Sequence, residues 1–415
     1  MAQQTNWQQI ACEIETRPNS AGDVLLGDFA ALDLSAYAGQ VHCLYVDPPF
    51  LTGSKFRFRQ KIGEEGWKTG KKFVDLDAYS DQYASKAAYL DFLRSLLVKS
   101  KELLSEDGAF FLHLDTRMDA HGRLLCDEIF GETNFVNQII WSYQSGGRTV
   151  KRFSTKHDVI LFYRKSPDLR FDITTIPLGR TENRSNHMRK TVDAFGRPCR
   201  TIKSGGKTYV YYDDDPVYPD DVWSDLSHLQ QKDPQRTGYD TQKPRALLER
   251  MIKPVSLEGE MCCDLCCGSG TTAVAAGHLK RKFLVADQSI HAVSVTRKRL
   301  VSEEIPFTLH APCEMRSARI DAHILPGIAF YDVYLSAFEP FKENQEKIEG
   351  LDAVDQWSAG YLREGVFVAY AEFVRSKKTP ALPELLQIPV LNGTPPSWWW
   401  MCTAENIALP KGNKA

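Results

Sequence analysis

The chain has 415 residues, more than one compact core accommodates, so two or three domains are expected. Its net charge of −2, with 25% charged residues, is that of a soluble protein. The first eighteen residues lack the apolar core of a signal peptide and no later run approaches 18 apolar residues, which excludes a helical membrane span and predicts a cytoplasmic chain.

The first predicted element is the short apolar run Val24-Leu25-Leu26, ending in Gly27-Asp28. VHCLYV (residues 41–46) follows; it is apolar throughout, as a strand buried on both faces would be. It stops against Asp47-Pro48-Pro49-Phe50, because neither proline can donate to a sheet ladder and their fixed φ angles hold Asp47 and Phe50 in a stiff turn. Two uses suit such a turn: holding one small group at a strand's carboxyl end, or capping the strand with Phe50 as core filler.

Residues 89–104 place apolar side chains three and four apart, which predicts an amphipathic helix. AFFLHLD (109–115) is the next strand, 117–130 a helix, and NQIIWSY and HDVILFYRK two more strands. Strand and helix in alternation predict an α/β domain with a mostly parallel sheet. Between about 166 and 240 the pattern breaks into charges, Gly, Pro and Asp, and an irregular insert is expected there. Residues 148–207 carry fifteen Lys/Arg against five Asp/Glu, which predicts a bound polyanion, whereas from 301 onward the balance is ten to fifteen. Tyr209, Tyr211, Tyr212, Tyr218 and Trp223 are read as core of this insert rather than as base readers.

A helix resumes after Pro244, and MCCDLCC, a turn, TTAVAAGHL and KFLVAD restore the α/β rhythm. Cys262, Cys263, Cys266 and Cys267 crowd into six residues, but no second ligand pair follows at zinc spacing; they are read as small packing residues, with no metal site. Beyond about 309, residues 341–375 look helix-like and PPSWWWM looks exposed. His157-Asp158 could belong to a nucleophilic triad, but the pair opens a strand and a structural role is preferred.

The other informative stretch is Asp264-Leu265-Cys266-Cys267-Gly268-Ser269-Gly270-Thr271, a strand turning through glycines into a helix. Glycines let a ligand lie against the backbone and the helix start offers unpaired N–H groups, an arrangement many nucleotide and cofactor sites share. Asp287, ending the next strand, could accept ribose hydroxyls or cap the following helix.

Taken in order, DPPF after a strand, NQIIWSYQSGGRTVKRFSTKHDVILFYRKS, RTGYDTQKPRALLERMI and DLCCGSGTT resemble the β class of bacterial DNA amino-methyltransferases, especially the modification subunits of type III restriction systems. The resemblance covers roughly residues 22–305. It implies a Rossmann-like S-adenosylmethionine-dependent methyltransferase sheet (α/β), divided into residues 22–165 (catalytic, first part), 166–240 (inserted target-recognition region), 241–309 (catalytic, second part) and 310–415 (a small C-terminal accessory domain). It makes Asp47, Pro48, Pro49 and Phe50 the catalytic turn. It assigns Asp264, Gly268, Ser269, Gly270 and Thr271 to S-adenosylmethionine, Asp287 to its ribose, Asp28 to its adenine amino group, and Gln242 and Lys243 to its flank. The alternative role for Lys243 is to pair with a carboxylate only. Arg148, Lys151 and Arg152, after a Gly-Gly turn, are candidate DNA-backbone contacts. Where relatives read Asp-Pro-Phe, this chain has Asp264-Leu265-Cys266.

The implied reaction is methylation of adenine N6, on a base flipped out of double-stranded DNA. The alternatives are cytosine N4 methylation and a catalytically silent DNA-binding or assembly protein of the same fold. The resemblance also allows a homodimer and a restriction-system partner.

Overall fold

A computed structural model describes residues 7–13, 21–143, 149–178, 188–212, 215–312, 319–339, 350–363, 366–391, 396–402 and 407–408. Six parallel strands form the middle of the main sheet, in the spatial order Leu104–Leu114, Val41–Val46, Met261–Asp264, Lys282–Asp287, Gly22–Leu26 and Phe307–Pro312. Their apolar residues are buried on both faces, so successive side chains serve opposite cores: Tyr45 and Phe111 one, Leu44 and Phe110 the other.

Helices cover both faces, giving the expected α/β architecture. Lys86–Leu103 buries Leu93, Leu96 and Leu97 against one face and starts at Ser85, whose hydroxyl accepts the Ala88 N–H. Arg245–Val255 and Thr271–His278 cover the other with Leu247, Leu248, Ala273 and Ala276. The cysteine cluster is divided in the same way. Cys262 and Cys267 sit in one core and Cys263 in the other, so they pack opposite layers and do not converge on one ion. Among the described residues, no helix is long and apolar enough to cross a membrane.

Beyond Leu104–Leu114 the sheet continues antiparallel through His157–Arg164 and Phe135–Ser142, and Val222–Trp223 closes that end in parallel. At the other end Trp7–Glu13 pairs with Phe307–Pro312, followed by Val366–Val374, Val354–Arg363, Pro396–Cys402 and Ile407–Ala408. Fourteen strands thus form one sheet among the described residues.

Three expectations need correction. The helix-like reading of 341–375 fails over Val354–Arg363 and Val366–Val374, which form two antiparallel strands. Val354–Arg363 is buried almost throughout, so no alternation marks it as a strand. Residues 310–415 have a core of their own around Trp357, Tyr361 and Ile388, and four of their strands extend the main sheet.

The insert, expected to be irregular, contains an antiparallel sheet of Arg189–Val192, Pro198–Ser204 and Lys207–Tyr212. Its residues are mostly exposed on both faces, so it too lacks an apolar period. Tyr209 and Tyr211 are exposed on it rather than forming a core; Trp223 alone of the five aromatics is fully buried, in the main core. A hairpin of Lys55–Lys61 and Phe73–Ser80, enclosing the helix Gly63–Thr69, follows the proline turn and had no counterpart in the sequence reading.

Candidate active site

Val41–Val46 and Met261–Asp264 are hydrogen-bonded neighbours, with Cys43 opposite Cys262 and Leu44 opposite Cys263. Their carboxyl ends therefore emerge side by side, where open α/β sheets place ligands. A cavity of about 300 Å³ opens there. It gathers Asp28, Asp47, Pro48, Pro49, Phe50, Lys243, Asp264, Gly268, Ser269, Thr271 and Asp287, eleven of the residues singled out above.

Two others stand behind its wall. Gln242 turns away: its side-chain oxygen accepts the Thr237 N–H at 2.9 Å and its amide donates to the Gln235 carbonyl at 2.6 Å, tying the preceding loop together. Gly270 has φ +72° and starts the Thr271–His278 helix; a Cβ there would come within 2.5 Å of the Thr296 hydroxyl, so the requirement for glycine is steric. Lys151 and Arg152 are exposed and lie outside the cavity, and Arg148 falls outside the described residues.

The Asp47 carboxylate is divided between two states. Oδ2 pairs with the Lys243 ammonium, which also lies 5.5 Å from the centre of the Phe50 ring. Oδ1 is buried and has no hydrogen-bond partner among the described residues. An acceptor left in that condition is costly unless something fills it, so the arrangement calls for a donor from outside the chain.

Sequence reasoning missed the groups that hold this turn. The buried carboxylate of Asp81 accepts the N–H groups of Phe50 at 3.2 Å and of Leu51 and Thr52 at 2.8 Å. That clamp secures Leu51 at φ +56°, a region non-glycine residues rarely occupy. Behind Phe50 lies the imidazole of His113, with ring centres 6.2 Å apart. Its Nδ1 is 2.9 Å from the Tyr45 hydroxyl and its Nε2 is 3.2 Å from Asp158, which also accepts the Tyr143 hydroxyl at 3.0 Å. Burial opposes ionisation of Asp158, but the bonds from His113 and Tyr143 and the charge of Lys243 hold its carboxyl below the usual range. Neither residue announces itself by spacing, since Asp81 and His113 are 29–31 and 63–68 positions from the backbone and rings they brace.

On the glycine side, Asp287 accepts the N–H groups of Gly268 at 2.9 Å and Ser289 at 2.8 Å. Asp264 accepts the Thr272 hydroxyl at 2.6 Å and the Cys266 N–H at 3.1 Å. Burial raises the Asp264 carboxyl to about 7 and that of Asp287 to about 6, with neighbouring Asp47 and Asp287 adding to the Asp264 shift. Arg299, also unforeseen, donates to the Ser269 carbonyl and the Thr271 hydroxyl, both at 2.8 Å; burial lowers its pKa to about 10. Thr271 in turn donates to the Lys243 carbonyl at 3.2 Å, linking the glycine turn to the residue paired with Asp47.

Residues 41–298, well over half of the chain, match the family N6_N4_Mtase, described as DNA methylase. The chain belongs to the DNA methylase family. Similar proteins include the type II methyltransferase M.EcaI of Enterobacter cloacae, 26% identical over 64% of this chain and 65% of that one. The Mod subunit of the type III restriction-modification enzyme EcoPI, from Escherichia phage P1, is 30% identical over 45% of this chain and 34% of its own length. The DNA adenine methyltransferase YhdJ of Escherichia coli K12 is 24% identical over 70% of this chain and 87% of that one. The match thus spans under two thirds of the first relative and about a third of the second.

The methyl donor of the family is S-adenosylmethionine, and the cavity has the chemistry to receive it. A glycine turn with positive φ, a helix N-terminus and five carboxylates (Asp28, Asp47, Asp81, Asp264 and Asp287) face one space, suited to a cationic ligand with a sugar hydroxyl pair.

Proposed function

We propose that this methylase transfers a methyl group from S-adenosylmethionine to N6 of an adenine extruded from duplex DNA. The observation that carries the reading is Asp47: one oxygen is neutralised by Lys243, and the other is buried and unpartnered at the mouth of the proline turn. The amine of adenine is a poor nucleophile because its lone pair is delocalised into the ring. Asp47 Oδ1 and the Pro48 carbonyl would accept its two N–H bonds and favour the pyramidal geometry in which the lone pair is exposed. Pro48 and Pro49 keep those acceptors at fixed separation, and the Asp81 clamp prevents the turn from relaxing. Phe50, backed by His113, offers a ring face on which the base can stack, offsetting part of the few kcal/mol that unstacking costs.

Asp28, Asp264, Asp287 and the turn from Gly268 to Thr271 would hold the cofactor, which supplies an electrophilic methyl group on a sulfonium. Lys243 orients Asp47 rather than binding the cofactor through its ammonium. Adenine is favoured over cytosine by Asp at the first position of the turn and by the relative named an adenine methyltransferase. Double-stranded DNA as substrate, and a restriction-system partner suggested by the Mod subunit relative, belong to the same proposal.

The test is transfer of a labelled methyl group into duplex DNA, followed by digestion to nucleosides. N6-methyladenine is expected. N4-methylcytosine would reassign the base, and absence of turnover in the purified chain would favour a silent DNA-binding protein. Asp47→Ala should lower transfer by about 10²–10³-fold with cofactor affinity nearly unchanged, because a single preorganised contact to the reacting group is lost.

A further inference from the structure

The loop leading into His157–Arg164 presents two apolar side chains with nothing covering them: Val150 is 100% exposed and Phe153 99%. Between them stand Lys151 and Arg152, both exposed. Single exposed apolar residues are ordinary, but an aromatic and a valine flanking two cations on one short loop match a duplex, which offers phosphates outside and apolar base faces within.

The position of the loop narrows the reading. His157–Arg164 runs antiparallel to Leu104–Leu114, which is itself parallel to Val41–Val46. The loop therefore rises from the same sheet edge as Asp47. Its far end is fixed by the Tyr143 N–H, which donates to the Lys156 carbonyl at 3.0 Å. Two residues on, Asp158 contacts His113, the ring behind Phe50. Phe153 lies three residues before Lys156, a reach of roughly 10 Å from that anchor.

Resting on the base-extrusion reading above, we infer that Phe153 enters the base stack of duplex DNA where the target nucleotide has left it, with Lys151 and Arg152 on the flanking phosphates. Extrusion leaves a void beside the orphaned partner base, and an aromatic face filling it replaces the lost stacking. Phe50 would then receive the extruded base while Phe153 occupies the space it vacates.

The test compares methyl transfer by the full chain into two duplexes carrying the modified motif, mapped beforehand in DNA from cells expressing it. One is fully paired; in the other the target faces an abasic site, so it is already poorly held. Phe153→Ala should lower kcat/KM about tenfold or more on the paired duplex and about threefold or less on the other, because only the first requires a stacked pair to be broken. Phe153→Trp should restore most of the activity on the paired duplex. Equal losses on both duplexes, or no loss on either, would overturn the inference. Failure of the wild-type chain to methylate either would instead remove the base-extrusion reading beneath it. Because Phe153 is 99% exposed, thermal melting of the alanine variant should match wild type.

Discussion

Asp264 and Asp287 are acids whose surroundings favour the protonated form. In an unfolded chain both would ionise near pH 4, but burial moves them to about 7 and about 6. Between those limits the folded chain binds more protons than the unfolded one, so the contribution of these groups to stability falls as pH rises from about 4 through about 7 and then levels off. Binding of a positively charged cofactor has the opposite preference, because it favours both carboxylates ionised. Cofactor affinity should therefore rise by about tenfold between roughly pH 6 and pH 8, with protons released on binding. Calorimetry in two buffers of different ionisation enthalpy checks both statements; affinity independent of pH, with no proton release, would contradict them. Asp264 and Asp287 were visible in the sequence as strand-end acids around glycines. Their raised pKa values were not, because desolvation depends on Cys266, Cys267 and the layers packed around them. Likewise Asp47 was legible from two prolines, while the Asp81 clamp and His113 were invisible because the contacts that matter join segments with no shared motif.

At the scale of elements, legibility followed burial. Val41–Val46 and Lys282–Asp287 are short apolar runs bounded by turn residues, and they are strands in the parallel middle of the sheet. Val354–Arg363 defeated the same reasoning because it is buried on both faces while carrying Asp355, Gln356 and Ser358, polar residues that a buried strand is not expected to hold. Their partners explain them. The Arg297 guanidinium, on the helix Ile290–Ser302, donates to Gln356 at 2.6 Å and Ser358 at 2.7 Å, and Lys298 pairs with Asp355. That helix begins just after Asp287 and carries Arg299 to the glycine turn, so one element joins the cavity on one face to the tail on the other. Arg297→Met should cost about 3–5 kcal/mol in urea unfolding, since it leaves buried polar partners unmet. A loss below about 1 kcal/mol would mean that this network does not bind the tail to the catalytic sheet.

Across the whole molecule, the uneven charge seen along the sequence becomes a spatial separation. The basic insert rejoins the sheet through Val222–Trp223, beside Phe135–Ser142 at one end, and the loop with Lys151 and Arg152 leads into His157–Arg164, the next strand inward from Phe135–Ser142. The acid-rich tail extends the opposite end through Val366–Val374 and its neighbours. The sums of charge were legible in the sequence; their placement was not, because it depends on Trp7–Glu13 pairing with strands some 300 residues away. A polyanion would be drawn to the end with the insert and repelled from the tail, which under the proposed function would orient a duplex over the edge where Asp47 and Phe50 stand. If about six phosphates are neutralised there, duplex affinity should fall by about 10³-fold between roughly 50 and 200 mM salt. Replacing both Lys151 and Arg152 with alanine should reduce the slope of log affinity against log salt by about 2. Fluorescence anisotropy of a labelled duplex across a salt series measures both. Cofactor affinity, set by buried carboxylates inside the cavity, should change little over the same range, because salt screens exposed charges far more than enclosed ones. A double variant with the wild-type slope would place the duplex elsewhere on the surface, away from this loop.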